Sequence, residues 1–200
     1  MRRPRTWFVV AFVAYAVLVR LLPWLLRATG VEIPIERMVY PWNFVPLTAL
    51  CLFAGAHFRH RAVACLCPLL VMLVTDTGIG LLGGSIDNAF HSNTLVVYAA
   101  FVLSTSLGML LRGERTAWTI GGTAVAAETL FFLVTNVGVW SSSGMYSHDL
   151  GGLAICFEMA LPFFRNSLLA TAVFTPIVFS SLALLPRDTP AYARVRVENS

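Results

Sequence analysis

Arg20, Asp76, Glu128 and Glu158 are ionisable side chains set inside or beside long apolar runs. A charge at membrane depth costs ~3 kcal/mol or more, so such groups face a protein interior, a water-filled cavity or an opposite charge. Asp76 and Arg20 fall in corresponding halves of their segments: either they pair with each other, or one of them polarises a ligand pocket. Around Glu128 the spacing is informative. Gly121 and Ala124 precede it by seven and four residues, and Phe132, Thr135 and Asn136 follow by four, seven and eight, which places all of them on one helix face. That face is predicted to be internal, with small residues at one end for close helix packing and a polar stripe at the other. Interhelical hydrogen bonding and substrate contact both account for the stripe.

Three connecting segments combine rings with hydrogen-bonding groups: Tyr40, Trp42 and Asn43; Asp87, Asn88, His91 and Asn93; Trp140, Tyr146, His148 and Asp149. An interfacial aromatic belt explains single Trp and Tyr residues, whereas their recurrence in all three segments fits a ligand pocket with apolar walls and a few placed polar groups. Other chemistry is absent from the pattern. His57, His60, His91 and His148 lack metal-ligand spacing, and Cys65 and Cys67 point to different helix faces. Gly78, Gly80, Gly83 and Gly84 do not make a phosphate loop, and the run from Ser141 to Gly144 with His148 and Asp149 reads as a turn rather than a triad. Cys51, Cys65, Cys67 and Cys156 read as buried thiols. The expectation is a protein that is not an enzyme and carries no cofactor and no structural metal.

The elements that position these groups follow from hydropathy. Of 200 residues 58% are hydrophobic and 12% charged, against roughly 25% charged in a soluble domain. A bilayer core takes ~20 apolar residues per helix. Residues 7–26, 44–58, 62–82, 94–111, 118–137 and 167–185 qualify as spans, the second of them short, and 151–161 is an apolar stretch ended by Pro162 that predicts a half-helix. The first run is longer than a signal-peptide core and is interrupted by Arg20, so it reads as a retained helix. The fold class is therefore an all-α integral membrane protein of about six transmembrane helices in a single domain, residues 1–200.

All 14 basic residues are arginine and sit in short clusters between apolar runs, a topology signal rather than a nucleic-acid surface. With the amino terminus inside, every arginine except Arg20, Arg27, Arg37 and Arg165 falls on the inner side. Both termini are thus expected in the cytoplasm. The inner connections are short and the outer ones long, so the candidate site residues face outward.

Three stretches, PWNFVPLTAL at 41–50, FFLVTNVGVW at 131–140 and PFFRNSL at 162–168, together resemble a bacterial family of small six-helix membrane proteins similar to the S components of energy-coupling factor (ECF) vitamin transporters. The resemblance covers most of residues 35–185. It implies a substrate-binding subunit in the bacterial cytoplasmic membrane that takes up a vitamin or related micronutrient and docks to an ECF coupling subunit and ATPases. It also places Trp42 and Asn43 at the mouth of the second helix and Arg165 and Asn166 at the start of the sixth, where Asn166 also has the makings of a helix cap. Facing them, Asn136 and Trp140 lie four apart at the end of the fifth helix. Asp76, His91, Glu128 and Tyr146 complete the candidate set. Were the substrate cobalamin, Cys156 is the candidate cobalt ligand. The first helix lacks the AxxxA spacing by which many S components dock, since Ala11, Ala14 and Ala16 are spaced otherwise. This departure points to solitary action. A membrane structural protein with no ligand and an ion-coupled solitary transporter are the competing functional classes.

Overall fold

A computed structural model describes residues 4–30, 44–113, 115–180 and 184, apart from the Asn88 side chain. The described residues form six α-helices: α1 (Thr6–Ala28), α2 (Leu47–His57), α3 (Arg61–Gly83), α4 (Thr94–Met109), α5 (Ala117–Ser142) and α6 (Leu150–Val178). A 3-10 turn, Leu110–Arg112, extends α4. Among these residues no strand forms; one antiparallel bridge joins Pro4 to Leu184. Five helices, all but α2, are long and apolar enough to cross a membrane, so the chain is a multi-pass membrane protein.

The five long helices surround the short one. Neighbours pack in the order α1, α3, α4, α5, α6, and α6 returns to α1 where Phe174 meets Phe12 and Tyr15 at ring separations of 6.0 and 5.5 Å. At the centre α2 packs against α3, α4, α5 and α6, and all 11 of its residues are buried. Its crossing with α4 is backbone on backbone. A Cβ on Gly55 would lie 2.2 Å from the Thr105 carbonyl oxygen, and one on Gly108 would lie 2.7 Å from Leu52 Cα. Two glycines set against each other let the helices approach to a distance that any side chain would prevent. Leu18, Leu66, Leu70, Val74, Leu133 and Trp118 stand on the outside of the ring, exposed as lipid-facing residues must be.

At ~1.5 Å per residue, the 11 residues of α2 span about 16 Å, roughly half the hydrocarbon thickness. It occupies the half of the bundle nearest the arginines, here called the basic half, and Arg112 and Arg115 hold its last turn. Arg112 Nε donates to the Gly55 carbonyl at 2.9 Å and its Nη2 to that of Phe58 at 3.0 Å; Arg115 Nη2 donates to Ala56 at 3.3 Å. These carbonyls are the ones a helix end leaves unpaired, and cations suit that end of the dipole. His57 Nδ1 donates to the Phe53 carbonyl at 3.1 Å, leaving Nε2 to accept from Arg115 at 2.5 Å.

One expected boundary is corrected. The half-helix at 151–161 and the span beginning at 167 are a single helix, α6, 29 residues long, with Pro162 inside it. In water a proline costs the bond to the preceding turn, but inside a membrane bundle neighbours and local adjustment accommodate it, as they do Pro23 in α1 and Pro68 in α3. Asn166 consequently sits within the helix and does not cap it; the cap is Asp149, whose Oδ1 accepts from the Gly152 backbone N–H at 2.7 Å. That bond, with one from the Ser147 hydroxyl, holds the Asp149 carboxyl below its ordinary range. The fifth helix likewise runs past its expected end at 137 to Ser142, carrying Trp140 within it.

Candidate functional site

Between α5 and α6, in the half of the bundle away from the arginines, lies a cavity of about 480 Å³. One face of α5 supplies Glu128, Phe131, Phe132, Thr135, Asn136 and Val139, at the three- and four-residue spacing of a helical stripe. One face of α6 supplies Cys156, Met159, Ala160, Phe163, Phe164 and Ser167 with the same spacing. Met145 and Tyr146, from the connection between the two helices, reach over the rim. The walls are aromatic and interlocked: Phe132 meets Phe164 at 4.7 Å and Phe157 at 5.4 Å, and Phe131 rests on Phe101 of α4 at 4.7 Å.

Polar groups are few and each has a defined place. Glu128 is 2% exposed and accepts the hydroxyl proton of Thr171 on α6. The Asn136 side-chain amide donates to the Phe132 carbonyl at 2.7 Å, and Cys156 Sγ donates to the Asn136 carbonyl at 3.5 Å. Trp140 does not line the cavity. Its Nε1 donates to the Ser147 carbonyl at 2.9 Å and its ring stands edge-on to His148, so it fastens the loop that carries Tyr146.

Of the residues singled out from sequence, Glu128, Phe132, Thr135, Asn136, Tyr146 and Cys156 line this cavity and Trp140 supports it. Asp76 does not; it is 2% exposed, ion-paired to Arg20 and hydrogen-bonded by the Tyr98 hydroxyl at 2.7 Å, a network joining α1, α3 and α4. His91 is exposed at the start of α4, and its backbone N–H donates to the Thr94 hydroxyl. Arg165 is exposed on α6 and Asn166 buried in it, neither in the lining. Trp42 and Asn43 lie outside the described residues, as do Tyr40 and Arg37. The stripe through Glu128 includes Phe132, whereas Phe131, Phe163, Phe164 and Thr171 escaped the sequence reading. Phe131 follows Glu128 by three and Phe163 and Phe164 precede Thr171 by eight and seven, so helical spacing alone would have found the walls once the pair was known.

The basic half of the same helix pair holds a second cavity, about 520 Å³, lined among others by Arg115, Gly121, Ala124, Ala172, Thr175 and Phe179. The small residues expected to allow close helix packing do so only in part. Ala124 and Ala127 pack on Leu52 of α2, whereas a Cβ on Gly121 would meet nothing within 4 Å. Thr171 lines this second cavity and Glu128 the first, so their hydrogen bond is the partition between the two. Among the described residues no group of three His, Cys, Asp or Glu could hold a metal, and the four cysteines are free thiols.

Residues 1–192 match a protein family along nearly the whole chain. The chain belongs to DUF6580, a family of unknown function. No curated protein and no solved structure matches it.

Proposed function

We propose that this member of DUF6580 is the substrate-capturing subunit of a membrane uptake system, resembling the S components of ECF vitamin transporters, and not an enzyme. The observation that carries this reading is the aromatic cavity between α5 and α6, of a size suited to a medium-sized organic ligand and floored by Glu128. In this reading the basic end, with both termini, faces the cytoplasm of a bacterium, and the cavity opens to the outside. Pro4 and Leu184 being bridged supports a shared side for the two ends of the described chain. A vitamin or related micronutrient is the substrate class, cobalamin included; Cys156 would then be its candidate cobalt ligand, although a thiol at the cavity wall donating to Asn136 also serves simple packing.

A thermal-shift screen of the purified protein against vitamins, cobalamin and nucleobase-like compounds tests the reading. A concentration-dependent rise in melting temperature with at least one class is expected. No shift with any compound favours a structural membrane protein. Labelling of Ser142→Cys from the outside tests the orientation. A second reading, a solitary transporter, is favoured by the second cavity beyond the Glu128–Thr171 partition and by the absence of AxxxA spacing in α1. Co-purification of a coupling subunit and ATPases would argue against it.

A further inference from the structure

Resting on the capture reading above, the chemistry of the cavity narrows what it takes. Among the described residues, Glu128 is the one charged side chain in the lining, and no arginine, lysine or histidine joins it there. Among the described residues it receives a single hydrogen bond, from Thr171, and the described ion pair, Arg20 with Asp76, is elsewhere. A carboxylate has room for about four donors, and the described side chains supply one of them. Every other acid in the described spans or their caps is matched differently: Asp76 by Arg20 and Tyr98, Asp149 by the start of α6, and Glu158 by exposure. Among the described residues, Glu128 alone is a buried acid without a counter-charge.

The lining that it shares is rich in aromatic rings. Phe131, Phe132, Phe163, Phe164 and Tyr146 wall the same cavity, and aromatic faces attract cations strongly where water is excluded. An anion would meet a carboxyl and, among the described residues of the lining, no positive partner. A hard metal ion wants six or more oxygens, and among the described residues no second carboxyl lines the cavity. We propose that the α5–α6 cavity is a site for an organic cation, a protonated amine or a quaternary or heteroaromatic nitrogen carried on an apolar body, with its positive centre toward Glu128 and its body among the phenylalanines.

The test is calorimetric titration of the full-length protein in nanodiscs with N-methylquinolinium, benzyltrimethylammonium and tetraethylammonium, and with quinoline as the neutral counterpart of the first. At least one cation is expected to bind, N-methylquinolinium well ahead of quinoline. Glu128→Gln, whose amide oxygen still accepts from Thr171, should weaken cation binding on the order of thirtyfold or more. Phe132→Leu should weaken it roughly fivefold. Should Glu128→Gln not fold, the comparison of cation with quinoline on the natural chain decides alone. Quinoline binding as tightly as its methylated form, or cations failing where compounds of the vitamin screen succeed, overturns the cation assignment and leaves the capture reading in place. Silence from every compound removes both.

Discussion

The two halves of the α5–α6 pair are built from the same helix faces yet end as different spaces. Toward the distal loops, phenylalanines and a Tyr146-bearing connection wall a cavity of about 480 Å³; toward the arginines, Gly121, Ala124 and Ala172 leave one of about 520 Å³ with Arg115 and Phe179 at its mouth. Similar volume thus arises from opposite causes. In the distal half large side chains hold the helices apart, whereas in the basic half small ones fail to fill the gap. Only the first supplies the shaped, rigid walls that recognition requires. Glu128 and Thr171, at the junction, belong to both.

The largest expected effect separates the halves directly. Ala160→Trp fills the distal cavity and should lower ligand affinity roughly a hundredfold with the fold retained, whereas Gly121→Leu, placed where there is open space, should change affinity little. Equal losses from both would show that the two cavities act as one. Next, Thr171→Val removes the hydroxyl that Glu128 accepts and leaves a buried carboxyl without its donor. Denaturation in detergent should register a loss of about 1–3 kcal/mol, and retained stability would mean the partition is weak. Trp140→Phe deletes the bond to Ser147 and frees the Tyr146 loop; affinity should drop a fewfold, mostly through faster release, measured by dissociation kinetics.

The smallest effect lies in the basic half. His57 bonds the Phe53 carbonyl and receives Arg115, and His57→Gln keeps a side chain able to do part of each. Denaturation in detergent should register a loss of about 0.5–1.5 kcal/mol. Unchanged stability would show that Arg112 and Arg115 hold the last turn of α2 without it.

Five of the six expected spans were legible because each is a long apolar run bounded by arginines or polar loops, while the expected span at 44–58 is the short α2; the Glu128 face was legible because helical spacing is rigid over its own turns. Pairings between helices were not equally open. Arg20 and Asp76 could be matched by depth alone, since both are charges that a bilayer forces together. Thr171 carries no such signal: threonines also sit at 75, 105, 135 and 175, and only the packing of α6 picks one of them. Pro162 misled for a definite reason, because the rule that prolines end helices is calibrated in water, where the freed carbonyl has a better alternative.

The half-length of α2 bears on how the chain is made. A helix of 11 residues cannot anchor itself across a bilayer, and its seat, the Gly55–Gly108 crossing, needs α4, which emerges from the ribosome only after α3. Until then α2 and its unpaired carbonyls must be sheltered, whether by the insertion machinery or by α1 and α3 as a temporary pair. Membrane integration is accordingly not a matter of threading helices one after another: the central helix is delivered late, into a slot that its younger neighbours complete.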